Sequence, residues 1–334
     1  MSKLVVSVVQ VLVFLTPMLL TAQQASSRDS LEQALQAAGA LFRDWKYTAA
    51  AEVLEPAVRA GGRSLPGRRL AVALTTLGAI YHAQWRFHES EQAYLRAMRI
   101  WESEDARDSN WQPFLINDLA WVYNNTGRFA LSEKLLKRYL PIWKERDADS
   151  PEIARLMHIL GIAYEGQRRY AEAASSYQES LRILKKLTGQ DDYLANLLTT
   201  LGDFQLRMRR YKEAHESLED ALAIHSRLYG EAHYTVIRPL AGPGTLHAAT
   251  GELEEAQRWL KQAVDIALGS IGPDHPLTGD VLLRQAAVLR ALKRKGEAQQ
   301  AEKQAKAILQ TFRSDNTRRY TVDLSELSSE RNRR

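Results

Sequence analysis

The feature that most constrains this chain is a small residue that returns at a nearly fixed interval along most of its length. Ala38, Gly78, Ala120, Gly161, Gly202, Gly244 and Ala286 stand 40, 42, 41, 41, 42 and 42 residues apart. Twelve residues after each comes a second small residue, in order Ala50, Ser90, Ser132, Ala173, Ala214, Ala256 and Ala298. A self-similar period of this size argues against one closed core and for units that each pack on the next. A chain of 334 residues can then extend without dividing into ordinary globular domains.

The stretch from Arg155 to Lys186 shows what one unit is. Ile159, Leu160, Ala163 and Tyr164 share one face of a first amphipathic helix, and Gly161 lets a second backbone come close. After a tight polar turn, Ala173, Tyr177, Ser180 and Leu184 recur at the spacing that lines one side of a second helix. Ala173 and Ser180 leave room for the Tyr177 ring and the partner helix, so the pair closes as an antiparallel hairpin. Its other apolar side stays open until a neighbouring unit covers it.

Composition narrows the function classes. Charged residues make up 25% and hydrophobic ones 45%, the ordinary mixture of a soluble helical protein. Lys and Arg exceed Asp and Glu by 45 − 40 = 5, and they are spread along the chain instead of forming a stripe, so no nucleic-acid partner is expected. The absence of cysteine excludes disulfides, thiol chemistry and Cys-ligated zinc.

Residues 1–22 read as a secretory signal. Lys3 supplies the positive start, Leu4 to Leu20 is a mostly apolar run, and Leu20-Thr21-Ala22 before Gln23 is an acceptable processing site. The other reading is an uncleaved anchor, since about 17 apolar residues just span a bilayer; only then is membrane a partner. Residues 23–30 are a polar linker, and the protein is expected to be exported, to the periplasm or cell envelope or as a secreted chain.

These residues resemble the tetratricopeptide repeat family, whose pattern pairs Leu-Gly and Tyr in a first helix with Ala, an aromatic or Leu, and Ala in a second. It stands here as Leu77, Gly78, Tyr81, Ser90, Tyr94 and Ala97, as Leu160, Gly161, Tyr164, Ala173, Tyr177 and Ser180, and as Leu201, Gly202, Ala214, Leu218 and Ala221. The longer period is similar to the kinesin-light-chain-like variant common in bacterial proteins, whose inter-repeat loop often carries Gly-x-x-His-Pro, matched by Gly272, His275 and Pro276 and half-matched by Gly230 and His233. The resemblance implies an all-α, right-handed superhelical solenoid of about seven helix-turn-helix hairpins over residues 31–312. Their expected spans are near 31–60, 71–104, 113–146, 154–187, 195–228, 237–269 and 279–312.

Several repeats depart from the pattern. Trp45 and Trp85 stand at the turn position held by Gly127 and Gly251 in other copies, where they either seal the hairpin elbow or bind a partner. Pro239, Gly242, Pro243 and Gly244 predict a kink or a non-helical start between Ile237 and Thr245, because Pro243 removes an interior hydrogen bond at about 3 kcal/mol. Glu302 in the seventh unit gives the polar outer face that a terminal cap requires. The basic runs Arg207, Arg209, Arg210, Lys212 and Arg290, Lys293, Arg294, Lys295 fall at the ends of first helices, where solvated cations complement the helix dipole. Residues 313–334 read as a polar, disordered tail, in which Tyr320, Val322 and Leu324 alternate as a short partner-docking strand would.

No catalytic constellation stands out. None of the eight histidines lies three or four residues from another as helical metal ligands would, and no phosphate loop, nucleophile elbow or dinucleotide fingerprint occurs. No enzyme activity, metal or cofactor is expected, although a site assembled across distant repeats is not visible to such a search. The resemblance instead implies that first helices line a concave groove, with side chains three before, one after and four after the small marker facing it. Those positions, with residues one turn earlier, give Asn117, Trp121, Asn124, Arg155, His158, Glu165, Asn196, Thr199 and Asp203 as the binding set. Exposed amides suit both donors and acceptors of a peptide backbone, and Trp121 offers an apolar platform; alternatively, the amides are solvated, Trp121 is wedged against the next repeat, and Arg155, His158 and Glu165 pair internally. The family's two-carboxylate clamp is not reproduced in full. The expected function is a non-enzymatic scaffold that binds a peptide or protein segment outside the cytoplasm, and the alternative is a sensor whose superhelix changes shape at the Pro239–Gly244 break.

Overall fold

The computed structural model describes residues 30–44, 46–61, 67–103 and 112–317, with side chains from 30 to 311 apart from those gaps and from residues 61 and 112. The signal segment, the linker up to residue 29, Trp45 and the tail beyond 317, with its Tyr320, Val322 and Leu324, lie outside the described residues. The described chain is all-α and of the helical-repeat solenoid class. It comprises α1 (30–43), α2 (Tyr47–Gly61), α3 (Gly67–Ala83), α4 (Phe87–Ser103), α5 (Gln112–Asn125), α6 (Phe129–Lys144) and α7 (Pro151–Gly166). There follow α8 (Tyr170–Leu184), α9 (Asp191–Arg207), α10 (Tyr211–Tyr229), α11 (Ile237–Thr250), α12 (Leu253–Ser270), α13 (Pro276–Ala291) and α14 (Lys295–Thr317). Two compact units divide at residue 136, inside α6.

One turn geometry closes the seven hairpins found among the described residues. The N–H eight residues after each marker donates to the carbonyl three residues after it: Lys46 to Leu41, Arg86 to Tyr81, Arg128 to Tyr123, Arg169 to Tyr164, Arg210 to Gln205, Glu252 to His247 and Arg294 to Leu289, all at 2.8–2.9 Å. This 6→1 bond needs a left-handed residue in the turn. Gly127 and Gly251 supply it at φ 75° and 89°, whereas Trp85, Arg168, Arg209 and Lys293 adopt it against the steric preference of an L side chain. Trp85 is half-buried there, its ring 5.7 Å from that of Phe87, so it does cover the elbow.

Between hairpins, Gly230 and Gly272 turn the chain with φ 91° and 88°. His275 then caps α13 by accepting the Leu277 N–H at Nδ1, with Pro276 at the first helical position. Ser150 and Pro151 start α7 in the same way, which gives the Gly-x-x-His-Pro signature a physical meaning: stop, cap, start.

In the unit up to residue 136, Tyr94, Met98, Trp101, Leu119 and Tyr123 are fully buried, each worth about 1.5–3 kcal/mol relative to exposure. A methyl added at Gly78 would lie 2.6 Å from the Tyr94 ring, and the Ser90 hydroxyl donates to the Gly78 carbonyl at 2.8 Å. The Arg128 guanidinium forms a two-pronged ion pair with Glu91 at 2.8 and 3.0 Å; the side chains are 18% and 1% exposed.

In the unit from residue 137, the marker glycines serve the same purpose. At Gly161 the space a methyl would need is filled by the Tyr177 ring of α8. Leu218 fills the corresponding place against Gly202 and also touches Gly242 of the next first helix, while Leu260 packs on Gly244. This packing explains the glycines of α11. It also accompanies a correction: the expected non-helical start is absent, since α11 is helical from Ile237 through Thr250, preceded by a 3-10 turn at Tyr234–Val236. Pro239 sits in the first turn, where its missing N–H has no helical partner to lose, and Pro243 is buried within the helix.

Candidate functional site

Within each unit, first helices of successive hairpins touch: α3 meets α5 in the unit up to residue 136, and α9 meets α11 and α11 meets α13 in the unit from residue 137. Their shared face carries the residues singled out from the sequence.

In the first unit these are on α5. Asn117 is buried and its amide donates to Asp118 at 2.9 Å, while Asp118 also accepts the Tyr94 hydroxyl at 3.2 Å. Trp121 is half-buried, Asn124 is buried, and its neighbour Asn125 is exposed. The Asn125 amide reaches across to His82 Nε2 at 3.1 Å. A neutral imidazole can accept that hydrogen bond, and burial pushes the His82 pKa down to about 4.

In the second unit the residues fall on α7 and α9 and are joined by side chains outside the original set. Arg155 donates to Gln190 at 3.3 Å and lies over the Tyr193 ring at 5.1 Å. His158 Nδ1 is 3.0 Å from the Tyr193 hydroxyl, and its ring also meets Tyr177 edge-on. Burial, with Arg238 adding to it, drives the His158 pKa down to about 3. Glu165 accepts the Tyr177 hydroxyl at 2.8 Å and pairs with Arg207 of α9. Arg155, His158 and Glu165 are each engaged by α8, α9 or the loop before α9.

Asp203 is the hub of the α9–α11–α13 face. Arg238 of α11 binds its Oδ2 at 2.8 Å, and Arg284 of α13 stands 3.9 Å from its Oδ1. Loss of hydration on this face opposes the Arg238 charge, but Asp203 overrides it and raises the pKa. Arg284 further contacts Asp280 at 3.0 Å and the Thr245 hydroxyl at 3.3 Å. The Thr199 hydroxyl donates to its own helix at the Ala195 carbonyl, 2.8 Å away, and Asn196 is exposed.

Arg238, one turn before the first groove position of its repeat like Arg155 and Asn196, was expected to face the groove, whereas Tyr193, Arg207, Arg284 and Asn125 were not in the predicted set. Arg207 had been assigned to a solvated helix end, yet it reaches back to the preceding repeat. The recurring signal was present: Asn125 and Arg207 both stand five after their markers and contact the residue four after the previous marker, His82 and Glu165. Among the described residues no group of His, Asp and Glu is arranged to hold a metal ion, and no helix is long and apolar enough to cross a membrane.

The family model described as tetratricopeptide repeat matches residues 69–145, 114–186, 193–269 and 244–311. No curated protein sequence matches the chain. Among solved structures it is similar to the apo form of RapI, at 13% identity and TM-score 0.66, over 86% of this chain and 99% of that one. It is also similar to the quorum sensor NprR. The apo form from B. thuringiensis matches at 15% identity and TM-score 0.58, over 83% of this chain and 86% of that one. NprR in complex with its cognate peptide NprX matches at 13% identity and TM-score 0.63, over 90% and 86%. At these identities the likeness is one of fold, and it agrees with the family match, which spans most of the length: the chain belongs to the tetratricopeptide repeat family.

Proposed function

We propose that the protein is a non-catalytic scaffold that binds an extended peptide or protein segment along its first-helix face. The observation that carries this reading is the α7–α9–α11–α13 face, where Arg155 lies over the Tyr193 ring, Arg207 pairs with Glu165, Arg238 and Arg284 meet Asp203, and Asn196 is exposed. Polar forks, an amide and an aromatic platform are what a peptide backbone and its side chains need. The similarity to NprR, solved with its cognate peptide, supports extending that mode of binding to this chain. Export is part of the proposal and rests on Lys3 and the Leu4–Leu20 run.

The direct test is titration of the full chain with a random decapeptide library, comparing the parent with Trp121→Ala and Arg207→Gln. Weaker capture with unchanged helical content and melting supports the assignment, whereas undiminished capture by both variants places binding elsewhere. N-terminal sequencing of the exported protein tests export, which an intact Met1 on a cytoplasmic chain would contradict.

A second reading, a sensor whose superhelix changes shape with ligand, is favoured by α11. Pro243 leaves that helix one backbone hydrogen bond short, and the same helix carries Arg238 with its tie to Asp203. Small-angle scattering with and without a captured peptide decides it, since an unchanged radius of gyration contradicts the sensor.

A further inference from the structure

The charges on the α7–α9–α11–α13 face are layered. Glu165 is 13% exposed and Asp203 7%, whereas the arginines they bind, Arg207 and Arg238, are 53% and 43% exposed. Carboxylates form the floor and guanidiniums the surface. An approaching ligand therefore meets positive charge first, although acids and bases on this face nearly balance. Each guanidinium has five donors in a planar fork, and a single internal carboxylate occupies only part of it.

We propose that this face selects an acidic peptide, one of whose side-chain carboxylates pairs with Arg238 in place of Asp203 while another meets Arg207. The inference rests on the peptide-binding reading above and names the ligand class for that site. Asp203 is an internal stand-in for the ligand: it keeps Arg238 and Arg284 positioned when no peptide is present, and it competes with the ligand when one is. A single internal anion shared by two arginines from successive helices suits this role, because a second carboxylate can join the cluster without leaving a buried charge unpaired.

The test is fluorescence anisotropy on the full chain with three labelled decapeptides of matched length and amidated C-termini. One carries alternating Asp and Glu, one the Asn and Gln isosteres, and one Lys. The acidic peptide is expected to bind on the order of tenfold more tightly than the amide peptide, a margin that shrinks as salt is added. Asp203→Asn, which removes the internal competitor at constant shape, is expected to tighten the acidic peptide several-fold and leave the amide peptide unchanged. Arg207→Lys and Arg238→Lys preserve the charge that holds Glu165 and Asp203, so they keep the fold while removing the fork, and both are expected to weaken the acidic peptide. If the amide peptide binds as tightly as the acidic one and Asp203→Asn changes nothing, the acidic class is wrong and the peptide-binding reading stands. If none of the three peptides binds, both readings fall.

Discussion

At Gly161 the constraint is the face of one aromatic ring: a methyl there would lie 2.5 Å from Tyr177, closer than real packing permits. Gly161→Ala is expected to lower stability by about 1–3 kcal/mol, the usual penalty of an overpacked core. Gly296→Ala, at an exposed helical site with nothing within 4 Å, should raise it by about 0.5 kcal/mol. Chemical denaturation of the two variants checks the contrast. His158 makes a second prediction. It is 1% exposed and neutral in the folded chain, with its pKa driven down to about 3, whereas in the unfolded chain it takes up a proton near about 6.5. The unfolded state then binds more protons, so the contribution of His158 is complete above about 6.5 and declines as the pH falls toward 3, by about 1.4 kcal/mol per unit. Denaturation midpoints at pH 6.5 and 4.5 should differ less for His158→Asn than for the parent; an equal difference would remove His158 from the account.

At the scale of elements, the hairpin elbow is the recurring device, and Glu91 with Arg128 is its most buried version. Glu91→Gln leaves the Arg128 charge without its counter-ion and is expected to cost about 3 kcal/mol, read as a shifted urea midpoint. Glu213→Gln breaks an exposed pair with Arg210 and should leave the midpoint unchanged. The hairpins themselves were legible in the sequence because the marker spacing, the helical periodicity and the turn glycines agree. α11 was misread because propensity rules treat Pro243 as an interruption without seeing what surrounds it. Gly242 and Gly244 admit Leu218 and Leu260, and that packing holds the segment helical despite the missing bond. Pro243→Ala restores an N–H to the helix and is expected to slow amide hydrogen exchange across α11 relative to the parent.

At the scale of the molecule, a period near 42 residues made the repeat class readable, whereas the site was only partly so. Repeat phase places Arg155, His158, Glu165 and Asp203 on first helices, where the structure has them on α7 and α9. It is blind to the reach of a long side chain, and so it missed Arg207 and Tyr193, whose contacts lie 42 and 35 residues away along the chain. It also cannot separate Asn124, turned into the core, from Asn125 beside it in solvent. The central claim, that a peptide lies along the first helices, is tested most directly by site-specific photo-crosslinking. A p-benzoylphenylalanine at position Ile162 on α7 should capture members of a random peptide library, and the same group at the exposed Glu216 on the second helix α10 should capture none. Capture from Glu216 and not from Ile162 would contradict the account.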